Sequence, residues 1–529
     1  MLKKSLASLL LPVLVASCAT GVNLNTLNTN VNKAQISSKL MSTVKDRIKI
    51  YSGQDAQKIF KITKPQTGFK TKANAFEPDY VIQHTSRTDA QCVKIMDLES
   101  SDTQNNQAIA IFNTQGDTYI SGSAEAYAVI FNVSDGTIKY VIETSGMEFS
   151  DLAISRIENI VSIYMVGDDS SQDLDTAFIS KFSYNFVDAP TLTINADSDL
   201  TNDDVFYLEG QNATSIINIK SGLRSYFGVT TGENGYFYLL NSNGFFTPGF
   251  SIASKIKDLS DSGDFRTATF DQNLEKIFIL DGGWDQTSSS GSTNAKQDPK
   301  VIVLDSLTLD RSSATEFTLP FSSSTTGLGA NYNFGTEKPG GQLSRTKIIT
   351  LGESLVIAAG SGGLVSVMQD GTNPQDLTSL IPKGPIPQSS TSGLKMNAIV
   401  NDVYYNNSSR LAKASQLEVQ KQIDIIPREG ASINIGVISG YFGLTTLGLN
   451  PSTLTATKIM DYRLFENPSN STNGTSSNSM NFLYNTDING LTTEYLAIAN
   501  GKRGASIYLS GNLQSGTNAR VPGRSINNI

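Results

Sequence analysis

From about residue 76 the chain alternates short β-branched and aromatic runs with turn residues. Val161-Ser-Ile-Tyr-Met, Ala177-Phe-Ile-Ser-Lys-Phe, Lys276-Ile-Phe-Ile-Leu and Leu355-Val-Ile-Ala-Ala are five or six residues long. That length suits strands rather than helices. Asn-Gly and Asp-Gly pairs punctuate the runs at Asp135-Gly136, Asn234-Gly235, Asn243-Gly244, Asp281-Gly282, Asp370-Gly371, Asn489-Gly490 and Asn500-Gly501. Such pairs fit tight hairpins because Asn and Gly tolerate positive φ. Helical periodicity is scarce over the same region, so the pattern predicts an all-β fold.

A larger repeat is superimposed on the strands. Several segments share one form: apolar run, polar or Gly break, second apolar run. Val161 pairs in this way with Ala177, Val205 with Ser215, Lys276 with Val301, Leu355 with Leu364, and Tyr495 with Ala505. Many unit starts fall about 30–45 residues apart, close to one four-stranded propeller blade. One small sheet cannot cover both of its faces, so sheets stack radially. The spacing predicts a single β-propeller of about seven blades, with six or eight as neighbouring counts. Two stacked β-sandwiches are the competing architecture, and they would show no fixed period. Residues 285–299, 310–345, 372–394 and 465–480 are rich in Ser, Thr, Asn, Gly and Pro and read as long loops.

The segment Tyr495-Leu-Ala-Ile-Ala-Asn-Gly-Lys-Arg-Gly-Ala-Ser-Ile-Tyr-Leu resembles a blade of the Leu-Val-Ile-Val-Pro-type repeats of bacterial surface proteins. Leu355 to Gly371 follows the same style, with Gly362-Gly363 at its turn. No unit carries the closing Pro. The resemblance implies a propeller fold and no particular activity.

The N-terminus reads differently. Lys3 and Lys4 precede an apolar run, Leu9 to Val15, that is too short to span a bilayer. It ends at small residues, the pattern of an export signal. Val15-Ala16-Ser17-Cys18 resembles the bacterial lipobox. The resemblance implies cleavage before Cys18 and its acylation with chains such as palmitate, which anchor the protein to a membrane. Ala19 stands where Asp marks inner-membrane retention in Gram-negative relatives. The expected location is therefore the cell envelope, at the outer membrane in a Gram-negative host. The expected layout is a signal peptide over 1–17, a lipidated tether over 18–75 and a propeller over 76–529. Within the tether, 19–34 is Asn/Thr-rich, and Ile36, Leu40, Val44 and Ile48 predict one short amphipathic helix over 36–50.

Composition narrows the chemistry. Charged residues make up 17%, against about 25% in ordinary soluble domains, so the surface is neutral-polar. The net charge is −8, which argues against a nucleic-acid partner. One His, His84, cannot build a multi-histidine metal site, and it reads as a strand residue rather than a catalytic base. Once Cys18 is acylated, Cys92 has no intrachain partner and reads as a buried, inert thiol. No cofactor is expected, with one candidate cation site. Asp197, Asp199, Thr201 and Asp203 alternate as in a calcium loop, but the turn Gly and the closing Glu are absent. A solvated acidic loop is the favoured reading there, and the run 168–175 is a weaker candidate of the same kind.

Together these features predict a membrane-anchored binding or scaffold propeller whose partner is an envelope protein or a glycan. An envelope enzyme, a carboxylate- or metal-dependent lyase or glycosidase with a central site, is the alternative. It predicts a deep central pocket with convergent acids or Tyr. A solute-capturing lipoprotein fits less well with an all-β chain.

Overall fold

A computed structural model describes residues 47–509 apart from 65–77, 97–106, 115–124, 170–175, 186–190, 194–204, 243–249, 258–263, 283–298, 306–309, 320–345, 383–399, 406–432, 464–476, 487–491 and a few shorter breaks. Cys18, the lipobox and the 197–204 loop lie outside these residues.

The strands form seven antiparallel sheets of four or five strands each. Their innermost strands are Thr88–Met96, Met147–Ile157, Ser215–Ser221, Asp264–Asp271, Lys347–Leu351, Val400–Tyr405 and Ser479–Thr486. Each innermost strand touches the next, and the seventh touches the first, so the sheets close a ring. The chain is a seven-bladed β-propeller, and we number blades 1 to 7 in that order.

Radial stacking explains why the runs are continuously apolar rather than alternating. Every blade is covered on both faces, so alternate residues of one strand serve two different cores. In blade 1, Ala108, Ala110 and Phe112 of strand Gln107–Thr114 enter the core shared with blade 7. Ile109 and Ile111 of the same strand enter the core shared with blade 2. Further cores join blades 2 and 3, 3 and 4, 4 and 5, and 5 and 6. Polar bonds cross between blades 6 and 7: Asn401 Nδ2 donates to the Ser477 carbonyl at 2.8 Å, and the Met480 amide donates to Asp402 at 2.9 Å.

Blade 7 closes the ring with both ends of the chain. Its order is Ser479–Thr486, Thr492–Ala499, Ala505–Leu509, then Tyr80–His84 and Phe60–Thr63. The ring therefore reaches back ahead of residue 76. Ile48–Ser52 adds an outer strand to blade 1, and the helix Gly53–Ile59 carries the chain across the seam to blade 7. This corrects the helix expected over 36–50 at its C-terminal end. Ile48 and Ile50 lie in a strand because pairing with Thr144 and Ile142 overrides the local helical spacing.

Two other expectations change. Innermost strands begin 49 to 83 residues apart, not 30–45, because insertions separate the strands. Val205–Tyr207 and Ser215–Ser221 are not one unit: the first pairs at the rim of blade 2 and the second starts blade 3.

The cores hold several phenols. Tyr80, Tyr184, Tyr238 and Tyr508 are buried, and burial pushes all four above their ordinary value of 10.0. Their folded values exceed their unfolded ones, so the stability they contribute is complete below pH 10 and is lost as pH rises beyond it. At pH 11 the loss is about 1.4 kcal/mol for each, roughly 6 kcal/mol for the four. The urea midpoint is expected to hold to pH 9 and fall sharply by pH 11. An unchanged midpoint at pH 11 would contradict this.

Candidate functional site

The innermost strands share a departure from regular pairing. In blade 1, Ala90 and Cys92 oppose Phe112 and Ile111, so Gln91 is bulged out. Ser150 in blade 2, Arg266 in blade 4 and Asn401 in blade 6 are bulged in the same way. A bulge re-aims the extra residue and increases local twist. All four bulged residues line one cavity on the ring axis. Lys94 and Asp151 join them, with Thr214 and Ser215, Thr346 and Lys347, Asp402, and Ser479. Every blade contributes. The room in the cavity for water-sized molecules is about 50 Å³.

A hydrogen-bonded belt runs around the channel one residue past the bulges. Ser479 Oγ lies 3.6 Å from Cys92 Sγ, and that thiol donates to Asp151 Oδ1 at 3.4 Å. Ser215 Oγ and the Ile216 amide donate to Asp151 Oδ2 at 3.3 and 3.2 Å. Ser215 Oγ is also 3.3 Å from Thr267 Oγ1. The belt thus links blades 7, 1, 2, 3 and 4. Across the ring, Asp402 accepts from the Val403 and Met480 amides, each at 2.9 Å. Both channel carboxylates therefore brace one blade against the next.

The cations are placed differently. Arg266 Nε donates to the buried Asp264 Oδ2 at 2.6 Å. Burial raises the Asp264 pKa, and Arg266 opposes that shift. Lys347 heads the blade 5 strand and is only half-buried, its side chain reached through the channel. Enclosure is the largest influence on its ammonium and lowers its pKa; Lys94 lowers it further, while Asp151, Asp402 and Cys92 raise it. Tyr404, beside Asp402, is pushed up to about 12 by burial and then by that carboxylate.

The residues singled out by sequence fall mostly elsewhere. His84 lies on the closing strand, its ring 4.8 Å from Phe60 and 4.6 Å from Tyr127. Cys92 is buried, forms no disulfide among the described residues, and belongs to the belt. Of the 168–175 run, Asp169 is committed to Arg47 in a two-pronged ion pair at 2.7 and 2.9 Å, and it also accepts from Tyr207 at 2.8 Å. Among the described residues, no three His, Cys, Asp or Glu side chains gather as a metal site. No helix among them is long and apolar enough to cross a membrane.

Sequence reading missed the channel. A signal was present: a polar residue follows an apolar one near the start of four innermost strands, at Ala90-Gln91, Phe149-Ser150, Phe265-Arg266 and Val400-Asn401.

The fold and channel define a seven-bladed β-propeller module with a polar axis. Known structures match most of the chain's length at low identity and low TM-score. RRP9 WD40 repeats match at 10% identity and a TM-score of 0.41, over 87% of this chain and 100% of that one. The periplasmic gluconolactonase PpgL of Pseudomonas aeruginosa matches at 10% and 0.40, over 75% and 98%. The computationally designed protein Ika8 matches at 9% and 0.35, over 82% and 94%. No protein-family model and no curated relative matches the chain.

Proposed function

We propose that this chain is an envelope lipoprotein, anchored through acylated Cys18, whose propeller binds an envelope protein or a glycan. The observation that carries this reading is where the chain enters the ring. Arg47 and Ile48–Ser52 sit at the outer edge of blade 1. That edge is remote from the innermost strands, whose residues line the channel. The Tyr-, Phe- and Asn-containing, charge-poor surface suits polar protein or glycan contacts. The test is crosslinking of the full-length protein in intact cells, with Cys18→Ala as the mislocalised control. A near-stoichiometric envelope partner that is lost in Cys18→Ala is the expected result. Unchanged membrane recovery of Cys18→Ala would remove the lipid anchor from the reading.

The convergence of Asp151 and Asp402 on the channel favours one second reading, a carboxylate-dependent lyase or glycosidase. Their engagement with strand amides weighs toward bracing instead. Calcium at Asp197, Asp199, Thr201 and Asp203 belongs to this alternative. Turnover of envelope glycans, measured with and without calcium, separates it from a binding module.

A further inference from the structure

We infer that the axial channel is a binding site for a small oxyanion, a carboxylate or phosphate group, received by Lys347 and Lys94. Three observations converge on it. First, every residue lining the cavity is polar or charged. The lining holds no aromatic ring on which a planar ligand could stack, and its polar groups stand at the ends of aliphatic stems, so the anion it suits is small and hydrophilic. Second, the two carboxylates in the channel are engaged by the strands themselves. Asp402 accepts from two backbone amides, and Asp151 accepts from an amide, a hydroxyl and a thiol. Third, Lys347 makes no hydrogen bond or ion pair among the described residues, and the charged groups acting on it are Lys94 and the strand-engaged Asp151 and Asp402.

Two ammonium groups that face one enclosed space repel each other, and an anion between them turns that repulsion into two attractions. Lys347 is suited to the role by its position. It heads a short, regularly paired strand, and its side chain reaches the axis between Arg266 of blade 4 and Asn401 and Asp402 of blade 6. Lys94 lies on the bulged strand of blade 1 and comes from the other side of the ring. The Asp151–Ser215–Thr267 belt fixes the wall between them. The site does not depend on how the chain is anchored.

Calorimetric titration of the full-length protein in detergent micelles tests the site, with inorganic phosphate and citrate as separate ligands and sodium chloride as the ionic-strength control. Saturable binding of one ligand or both is expected, and the stronger one identifies whether the natural group is a phosphate or a carboxylate. Lys347→Met and Lys94→Met should each weaken it by about tenfold or more, as loss of one charge-assisted contact predicts. Lys347→Arg should stay within about threefold of wild type, because it keeps the charge. Lys276→Met, on the second strand of blade 4 away from the channel, should bind as wild type. Lys347→Arg and Lys94→Met keep the test readable if Lys347→Met misfolds. Absence of saturable binding by both ligands, or full binding in both methionine variants, overturns the inference.

Discussion

Removal of residues 1–86 should abolish the cooperative unfolding of the ring. The deletion takes away the closing strand Tyr80–His84, the outer strands Ile48–Ser52 and Phe60–Thr63, and the helix between them. It strips Phe60, Tyr80 and Ile82 from the core between blades 7 and 1. At about 1.5–3 kcal/mol for each buried side chain, those three alone contribute roughly 5–9 kcal/mol, comparable to the whole stability of an ordinary domain. The Tyr80 hydroxyl also donates to the Val133 and Asn132 carbonyls of blade 1, a bond across the seam that no other blade replaces. The exposed edge of Ala505–Leu509 would then be open to pairing with other chains. Circular dichroism melts and light scattering are the measurements. A deletion that melts cooperatively at the wild-type midpoint would show that the seam is dispensable. A point variant probes the same seam. Gly504 has φ +90°, and a Cβ there would lie 2.1 Å from the Ile82 carbonyl oxygen of the closing strand. Gly504→Ala should therefore cost about 3 kcal/mol or more. Gly53→Ala has positive φ but open space around it, and should cost about 1 kcal/mol.

The middle of most blades was legible in the sequence and their inner edges were not. The second and third strands of blades 4, 5 and 7, such as Lys276–Asp281 with Lys300–Asp305, are buried on both faces and read as plain apolar runs. Four innermost strands carry a bulged polar residue, so Gln91 or Arg266 breaks the two-residue period where the channel is made. Blade 6 left no apolar signature because Gly436, Gly443 and Gly448 interrupt its two central strands, Ile433–Ser439 and Gly443–Leu449. Its place in the ring is fixed instead by pairing and by Asp402. The outer strands Ile48–Ser52 and Phe60–Thr63 are short and half-exposed. Their structure comes from the edges they cover, which no local pattern encodes. The channel itself is assembled from residues between 91 and 479. Only closure of the ring brings Lys94, Asp151, Lys347 and Asp402 together.

Arg47→Ala should destabilise the propeller by about 3–5 kcal/mol, the cost of leaving a buried charge without its partner. Asp169 is fully buried, while the Arg47 side chain keeps 15% of its surface. Both guanidinium prongs are used, at 2.9 and 2.7 Å, so the pair has the planar geometry that distinguishes Arg from Lys. Arg47→Lys should thus recover only part of the loss. Burial disfavours the guanidinium charge, but bonding to Asp169 outweighs it and the Arg47 pKa rises. The Tyr207 hydroxyl still donates to Asp169 in the variant, but one neutral donor does not replace a cation. Asp169→Ala combined with Arg47→Ala should be less damaging than Arg47→Ala alone, because no orphaned carboxylate remains. Urea unfolding of the two single variants and the double variant completes a mutant cycle. Strict additivity would show that the pair is not coupled. The pair ties Arg47 to blade 2, while Ile48–Ser52 pairs with blade 1 and Phe60–Thr63 with blade 7. A load arriving through the N-terminus would meet three blades before it reached the seam. Arg47→Ala should accordingly unfold at lower force in single-molecule pulling from the N-terminus, with a smaller change when the ring is pulled from other points.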